Sequence, residues 1–495
     1  MDHSTLATLL LASSFTQQLL PLSQQLLPIL QQLAQLLQHF GSQPLTPSST
    51  DTFERSLHDL TRTLGRTVLQ WAFNHCESDS HAARPPRLTV AGDTYRRRGQ
   101  HPNTLATLFG PVCVRRLLYE PCERGMKSLH PLEHELGIVA GCATPALADR
   151  VGQWAAQQPQ RAVLAILRRD HDIHWSQATL RKVTRQIRDD LEPCRHAAQC
   201  QRVQEWLRQA QHRRGRHRPA LVVGRDGIQV PLRHGCYREG AVATVSVFDR
   251  RGRRLGTVYL GRMPQAEQTT LSAQLTALVQ EVLRGWDGPP PRLAYVTDGG
   301  WHPTDYYRRV LRRLEDPRRP GQRLCWERII DFYHATLYVT QLAEALFGDS
   351  PQGRRWARRM RQRLKGIHGV TRLLQSAAGH RQQRALTGAE EKAFGRAYRY
   401  LQKRRRFLQY SRYRGDGLPL GSGVTEAACK TVFTHRLKQS GMRWGLAGGQ
   451  VIVDLRVLWL SGVWAEAQAT SLQARVAAEE GSRSGLVHHE AKKTA

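Results

Sequence analysis

Leu19, Leu22, Leu26, Ile29, Leu33 and Leu36 recur every three or four residues, the apolar line of an amphipathic helix, with Pro21 and Pro28 interrupting it. The line lasts under three heptads, so a short self-association helix and a helix docked on its own chain both fit it. Residues 1–50 are expected to form this Leu/Gln-rich helix and then a linker, GSQPLTPSSTD (41–51). Residues 51–215 are mostly helical in pattern, with a less regular patch around 85–125. Within them, 161–191 predicts two helices joined by a tight polar turn. Ser176 caps the second, Leu180, Val183, Ile187 and Leu191 follow at helical spacing, and Arg181, Lys182, Arg185 and Arg188 occupy its other faces. A helix-turn-helix that enters a DNA groove has this pattern; so does any basic helical hairpin.

From residue 216 the period changes. PALVVGRDGIQVPL, AVATVSVFD and RRLGTVYLG are β-branched runs, with a DRRG turn (249–252) between the last two. A helical stretch (265–284), the strand LAYVTDGG, a helix from about Pro303 and the strand RIIDFYH follow. Three consecutive strands, then strand–helix alternation, predict an α/β fold with a mixed sheet over 216–350. Residues 351–415 predict a basic helical insertion, 416–470 complete the core, and 471–495 are an Ala/Glu/Ser/Lys-rich flexible tail.

Charge sharpens this picture. Seventy-three Lys and Arg face 41 acids, a net charge of +32, which calls for a polyanionic partner. Residues 351–410 alone hold 17 bases and two acids, interleaved with Trp356, Phe394, Tyr398, Tyr400, Phe407 and Tyr410, as on a surface that faces a nucleic-acid backbone. The nine cysteines include no C-x-x-C pair, so no zinc site or disulfide framework is signalled, and a reducing, cytoplasmic, nucleoid-associated setting is expected. The N-terminus lacks a basic n-region and its leucines are broken by Gln and Pro, so neither a signal peptide nor a membrane partner is expected.

Three acids stand at the ends of apolar runs. Asp226 lies in LVVGRDGIQV, where Asp-Gly is also a hairpin signal. Asp298 ends LAYVTDGG, as a side chain delivered to the carboxyl edge of an α/β sheet or as a turn residue. Glu426 opens a helix after GSG, with Ser422 four residues before it rather than the three a capping box requires. Two Asp and one Glu converging from two strands and a helix would hold a pair of Mg²⁺ ions, or Mn²⁺ in their place.

The phrases GRDGIQVPLR, ATVSVFDRRGRRLGTVYLGRMP, VTDGGWHP, RIIDFYHA and PLGSGVTEAACKTVFTHRLKQSGMRW, in this order, resemble the DDE transposases of bacterial insertion sequences, in particular the ISKra-type group and its Mutator-like relatives. The resemblance runs from about 100 to 465. It implies a ribonuclease-H-like core with Asp226, Asp298 and Glu426 as the metal-binding catalytic triad. It further implies that Asp331 and His334 contact DNA or support the site from behind, and that Arg436, Lys438, Arg443 and Trp444 contact DNA. Its activity would be metal-dependent cleavage at terminal inverted repeats and strand transfer into target DNA by a homodimer or larger assembly. The chain departs from many relatives in keeping only Cys122 of a C-x-x-C element. Two other readings stay open: an inert DNA-binding regulator derived from a transposase, and a structure-selective nuclease of the same fold.

Overall fold

The computed structural model describes residues 3–77, 84–90, 92–123 and 125–490, with side chains described from 19 to 477. The chain divides into two compact units, residues 1–189 with 471–495, and residues 190–470.

In the first unit, α1 (His3–Ser42) packs along α2 (Pro47–Cys76). The expected apolar line is the docked one: Leu22 and Ile29 are buried, and Phe40 stacks on Phe53 at 4.2 Å. The predicted linker shrinks to residues 43–46, because Thr46 and Ser49 form a capping box that starts α2 at Pro47. The less regular patch is a three-stranded antiparallel sheet, β1 (Arg87–Val90), β2 (Asp93–Thr107) and β3 (Gly110–Pro121). Short α3 (Pro131–Glu135), α4 (Pro145–Gln157) and α5 (Gln160–His171) lead to α6 (Gln177–His212). The α5–α6 pair is the predicted hairpin. Asp172 adopts a left-handed conformation (φ 53°), and the Ser176 hydroxyl accepts from the Thr179 N–H to cap α6.

The second unit is built on a five-stranded mixed sheet in the order β10–β7–β4–β5–β6. β4 (Ala220–Pro231), β5 (Tyr237–Phe248) and β6 (Arg254–Arg262) run antiparallel, and the DRRG turn joins the last two. α7 (Thr269–Arg284) returns to β7 (Arg292–Thr297), which pairs parallel to β4. α8 (Trp301–Arg309) and an Arg/Pro hairpin, β8 (Glu315–Asp316) with β9 (Arg319–Arg323), precede β10 (Trp326–Ile330), parallel to β7. α9 (Phe332–Phe347), α10 (Pro351–Leu364), α11 (Gly369–Gln382), α12 (Gly388–Arg404) and α13 (Tyr410–Gly415) follow. The unit closes with α14 (Gly423–Ala428), a π-helical turn at Cys429–Thr434, α15 (His435–Leu437), α16 (Leu446–Leu460) and the start of α17 (Trp464–Glu490). The expected flexible tail is thus helical through Glu490, and residues 491–495 lie outside the described residues.

The sheet has two cores. Ala220 and Val222 of β4 and Ala294 and Val296 of β7 face α9–α13. Leu221, Val223, Leu293 and Tyr295 face α6, α7 and α8 on the other side. This double burial explains the near-continuous apolar run of β4. Within the basic insertion, Trp356, Ala357, Met360 and Leu364 form the buried line of α10, while Arg354, Arg355, Arg358, Arg359, Arg361 and Arg363 are exposed. Trp356, Phe394 and Tyr410, read from the sequence as part of a nucleic-acid surface, are buried core side chains; the exposed arginines keep the basic face. Among the described residues, no single helix is long and apolar enough to cross a membrane.

Candidate active site

Asp226 lies within β4, paired with Val242 of β5, so its Asp-Gly is strand and not hairpin. β7 pairs with β4 from Ala220–Arg292 to Gly224–Val296, a constant offset of 72 residues. Carried two residues beyond the last pair of the ladder, the same offset aligns Asp226 with Asp298, the residue directly after β7. Asp226 continues the alternation of Val222 and Asp298 that of Val296, so both side chains belong to the sheet face that carries those valines, at the carboxyl end of the parallel pair.

Glu426 comes to that face on α14. Gly224 makes this possible: a Cβ there would fall 2.0 Å from Thr425 Oγ1 and 2.9 Å from Thr244 Oγ1, so only glycine lets α14 lie on the sheet. The buried Thr244 and Thr425 hydroxyls hydrogen-bond at 2.9 Å and fix the helix. Ser422, directly before α14, donates its hydroxyl to Glu426 Oε1 at 2.8 Å or to Asp331 Oδ2 at 2.9 Å; its one proton serves one carboxylate at a time.

Asp331 is fully buried. Its Oδ1 accepts from the His334 N–H at 2.6 Å, capping α9, and its Oδ2 accepts from both the N–H and the hydroxyl of Ser422. Of the two roles expected for it, direct DNA contact is therefore excluded by burial, and support of the Glu426 loop from behind remains. His334 is half-buried beside Tyr338 and Tyr400.

The Asp298 turn is held by the insertion, a role sequence reasoning missed. Tyr400 of α12 donates its hydroxyl to the Asp298 carbonyl at 2.8 Å, and Arg404 donates to the Gly299 carbonyl at 3.1 Å. Arg404 also lies 3.9 Å over the Tyr400 ring, which stacks on Tyr338 at 3.6 Å. Gly299 sits at φ 83°, with Ile330, Arg404 and Tyr400 crowding the place of any Cβ. Asp298 itself accepts from the Gly300 N–H at 2.8 Å.

The electrostatics couple the acids. Burial, then the charges of Asp298 and Glu426, push the Asp226 carboxyl up to about 6, against the Gly227 N–H and Cys429 thiol that it accepts from. The buried Cys429 thiol, 3.5 Å from Asp226 Oδ2, is raised by burial and by the same three acids. A hard oxygen donor whose proton affinity is raised by burial and by neighbouring acids, as Asp226's is, suits a hard divalent cation. Among the described residues, however, no three His, Cys, Asp or Glu side chains are gathered closely enough to hold an ion as they stand.

The other expected contact residues divide. Arg181 and Arg185 are exposed on α6, while exposed Lys182 donates to the Ala140 carbonyl at 2.8 Å. Lys438 and Arg443 are exposed, with Arg443 5.7 Å over the Tyr237 ring. Arg436 is buried, its guanidinium 5.4 Å from the Trp444 ring, and burial and nearby Arg456 lower its pKa to about 10. Trp444 donates its indole N–H to the Leu437 carbonyl and bridges Leu232 through its backbone. Arg436 and half-buried Trp444 therefore brace the chain after Glu426, and burial corrects the reading of Arg436 as a DNA contact. Compared with models of protein families and with curated proteins, the chain matches none.

Proposed function

We propose that the chain is a DDE-type DNA transposase that binds the inverted repeats of its element, cuts at the ends and joins 3′-hydroxyls to target DNA. The observation that carries the reading is the register of β4 and β7. Continued past Gly224 and Val296, it aligns Asp226 with Asp298, on the face where α14, which carries Glu426, packs over Gly224. A sheet of three antiparallel strands continued by two parallel ones is compatible with a ribonuclease-H-like core.

Asp226, Asp298 and Glu426 would hold Mg²⁺, whose chemistry is activation of a water or 3′-hydroxyl and stabilisation of the leaving oxygen. The chain's own residues prepare that site. Tyr400 and Arg404 fix the Asp298 turn, Asp331 and Ser422 fix the Glu426 loop, and Thr425 seats α14 on Gly224. Because the acids are not gathered as they stand, ion binding in this reading includes drawing them together. The exposed arginines of α6 and α10 supply phosphate contacts.

The test is incubation of labelled element ends with Mg²⁺ or Mn²⁺ and a plasmid target. Alanine at Asp226, Asp298 or Glu426 is expected to keep end binding within about twofold and to abolish cutting and joining. Normal cutting by all three variants would overturn the reading. An inactive wild-type chain that still binds ends would leave the inert regulator, and cutting by DNA structure without joining would leave the nuclease.

A further inference from the structure

α1 carries a second apolar line that its packing on α2 does not use. Leu20, Leu27, Leu30 and Leu37 are 57%, 56%, 51% and 54% exposed, whereas Leu22 and Ile29 on the docked line are each 9% exposed. Their spacing is seven, three and seven. Leu20 and Leu27 share one heptad position, and Leu30 and Leu37 share the position three residues on, the arrangement of a coiled-coil seam. The line was hidden in the sequence because the docked line runs beside it.

Its flanks point to the occupant. Pro21 and Pro28 are exposed and share one heptad position, and the exposed glutamines at 24, 31 and 38 share another, both on the flank of the seam away from the docked line. From His3 to Thr50 there is no Lys, Arg, Asp or Glu, in a chain of net charge +32. Two copies meeting through a basic surface would set like charges together; this helix is where they would not. The missing bases also remove the attraction that holds amphipathic helices on anionic lipid. A nucleic acid would find no cation here. A heptad leucine line is complementary to itself and therefore suits an interface between identical chains.

We propose that the Leu20–Leu37 line is a self-association surface on which a second copy of this chain pairs helix to helix. The seam is about 26 Å long at 1.5 Å per residue, short enough that the dimer dissociates on dilution. The proposal stands independently of the transposase reading.

The test is sedimentation velocity on the full chain, nuclease-treated and in high salt, over a concentration series. The mass is expected to rise toward twice the 56.2 kDa of one chain. Leu27→Glu with Leu30→Glu is expected to weaken association at least tenfold. Leu446→Glu, which removes an exposed leucine in the other unit, should associate like the wild type. Should the glutamate pair fail to fold, Leu27→Gln with Leu30→Gln decides, with the circular-dichroism spectrum and Tm as controls. A wild-type chain that stays monomeric overturns the proposal. So does undiminished association of a folded double variant, and so does flotation on neutral phosphatidylcholine vesicles, dependent on Leu27, by a chain monomeric in solution.

Discussion

Asp226 carries the clearest consequence at the scale of single residues. Its folded-state carboxyl titrates at about 6, above the ordinary value of 3.8, so the fold holds this proton more tightly than the unfolded chain does. The sign follows: ionising Asp226 costs stability above about pH 6, and the cost is gone below about pH 4. Asp226→Asn is expected to raise Tm by a few degrees at pH 7.5, about 1–2 kcal/mol after allowing for solvent screening, while abolishing cleavage. Thermal scans at pH 7.5 and pH 4 check this; a stabilisation of equal size at both would remove charge as its cause. Gly224 makes the complementary case. Gly224→Ala puts a methyl against Thr425 and is expected to cost about 1–3 kcal/mol and to displace α14, so cutting fails while DNA binding persists. Arg436→Ala should act through stability and not selectively on DNA affinity, because its guanidinium is buried.

The elements explain what the sequence made readable. β4, β5 and β7 stand out because most of their residues are buried on both faces, which selects β-branched and apolar types. β2 does not stand out: its stretch from Asp93 to Asn103 is polar and half-exposed, and it becomes a strand by pairing with β3. Asp298 was legible from the glycines that follow an apolar run, and Glu426 as a lone acid among bases. Asp226 was ambiguous, because Asp-Gly favours a turn until neighbouring strands on both sides hold it extended. The bonds of Ser422 to Asp331, Tyr400 to Asp298 and Arg404 to Gly299 left no signal, since these partners lie 91, 102 and 105 residues away in the chain. The insertion's aromatic residues were visible, but charge density alone did not tell core from surface. Tyr400→Phe tests the role of α12. One hydrogen bond is lost, so stability should change by about 1 kcal/mol, and cleavage should fall about tenfold with a higher Mg²⁺ requirement and unchanged end binding. Unchanged Mg²⁺ dependence would show that the contact serves the fold alone.

Across the whole molecule, the excess of basic side chains predicts steep salt dependence. DNA affinity should fall log-linearly with salt, and Arg181→Ala with Arg185→Ala should reduce the slope by about one per lost phosphate contact, read by anisotropy titrations at several salt concentrations. The insertion has a different consequence. Residues 351–404 supply exposed arginines on one helix and the clasp on the Asp298 turn from another. Splicing in a glycine–serine tether of ample reach would therefore keep the chain connected yet leave the turn at Asp298 without its buttress. The long interval between the second and third acids is masonry, and cutting it short would spoil the corner at Asp298.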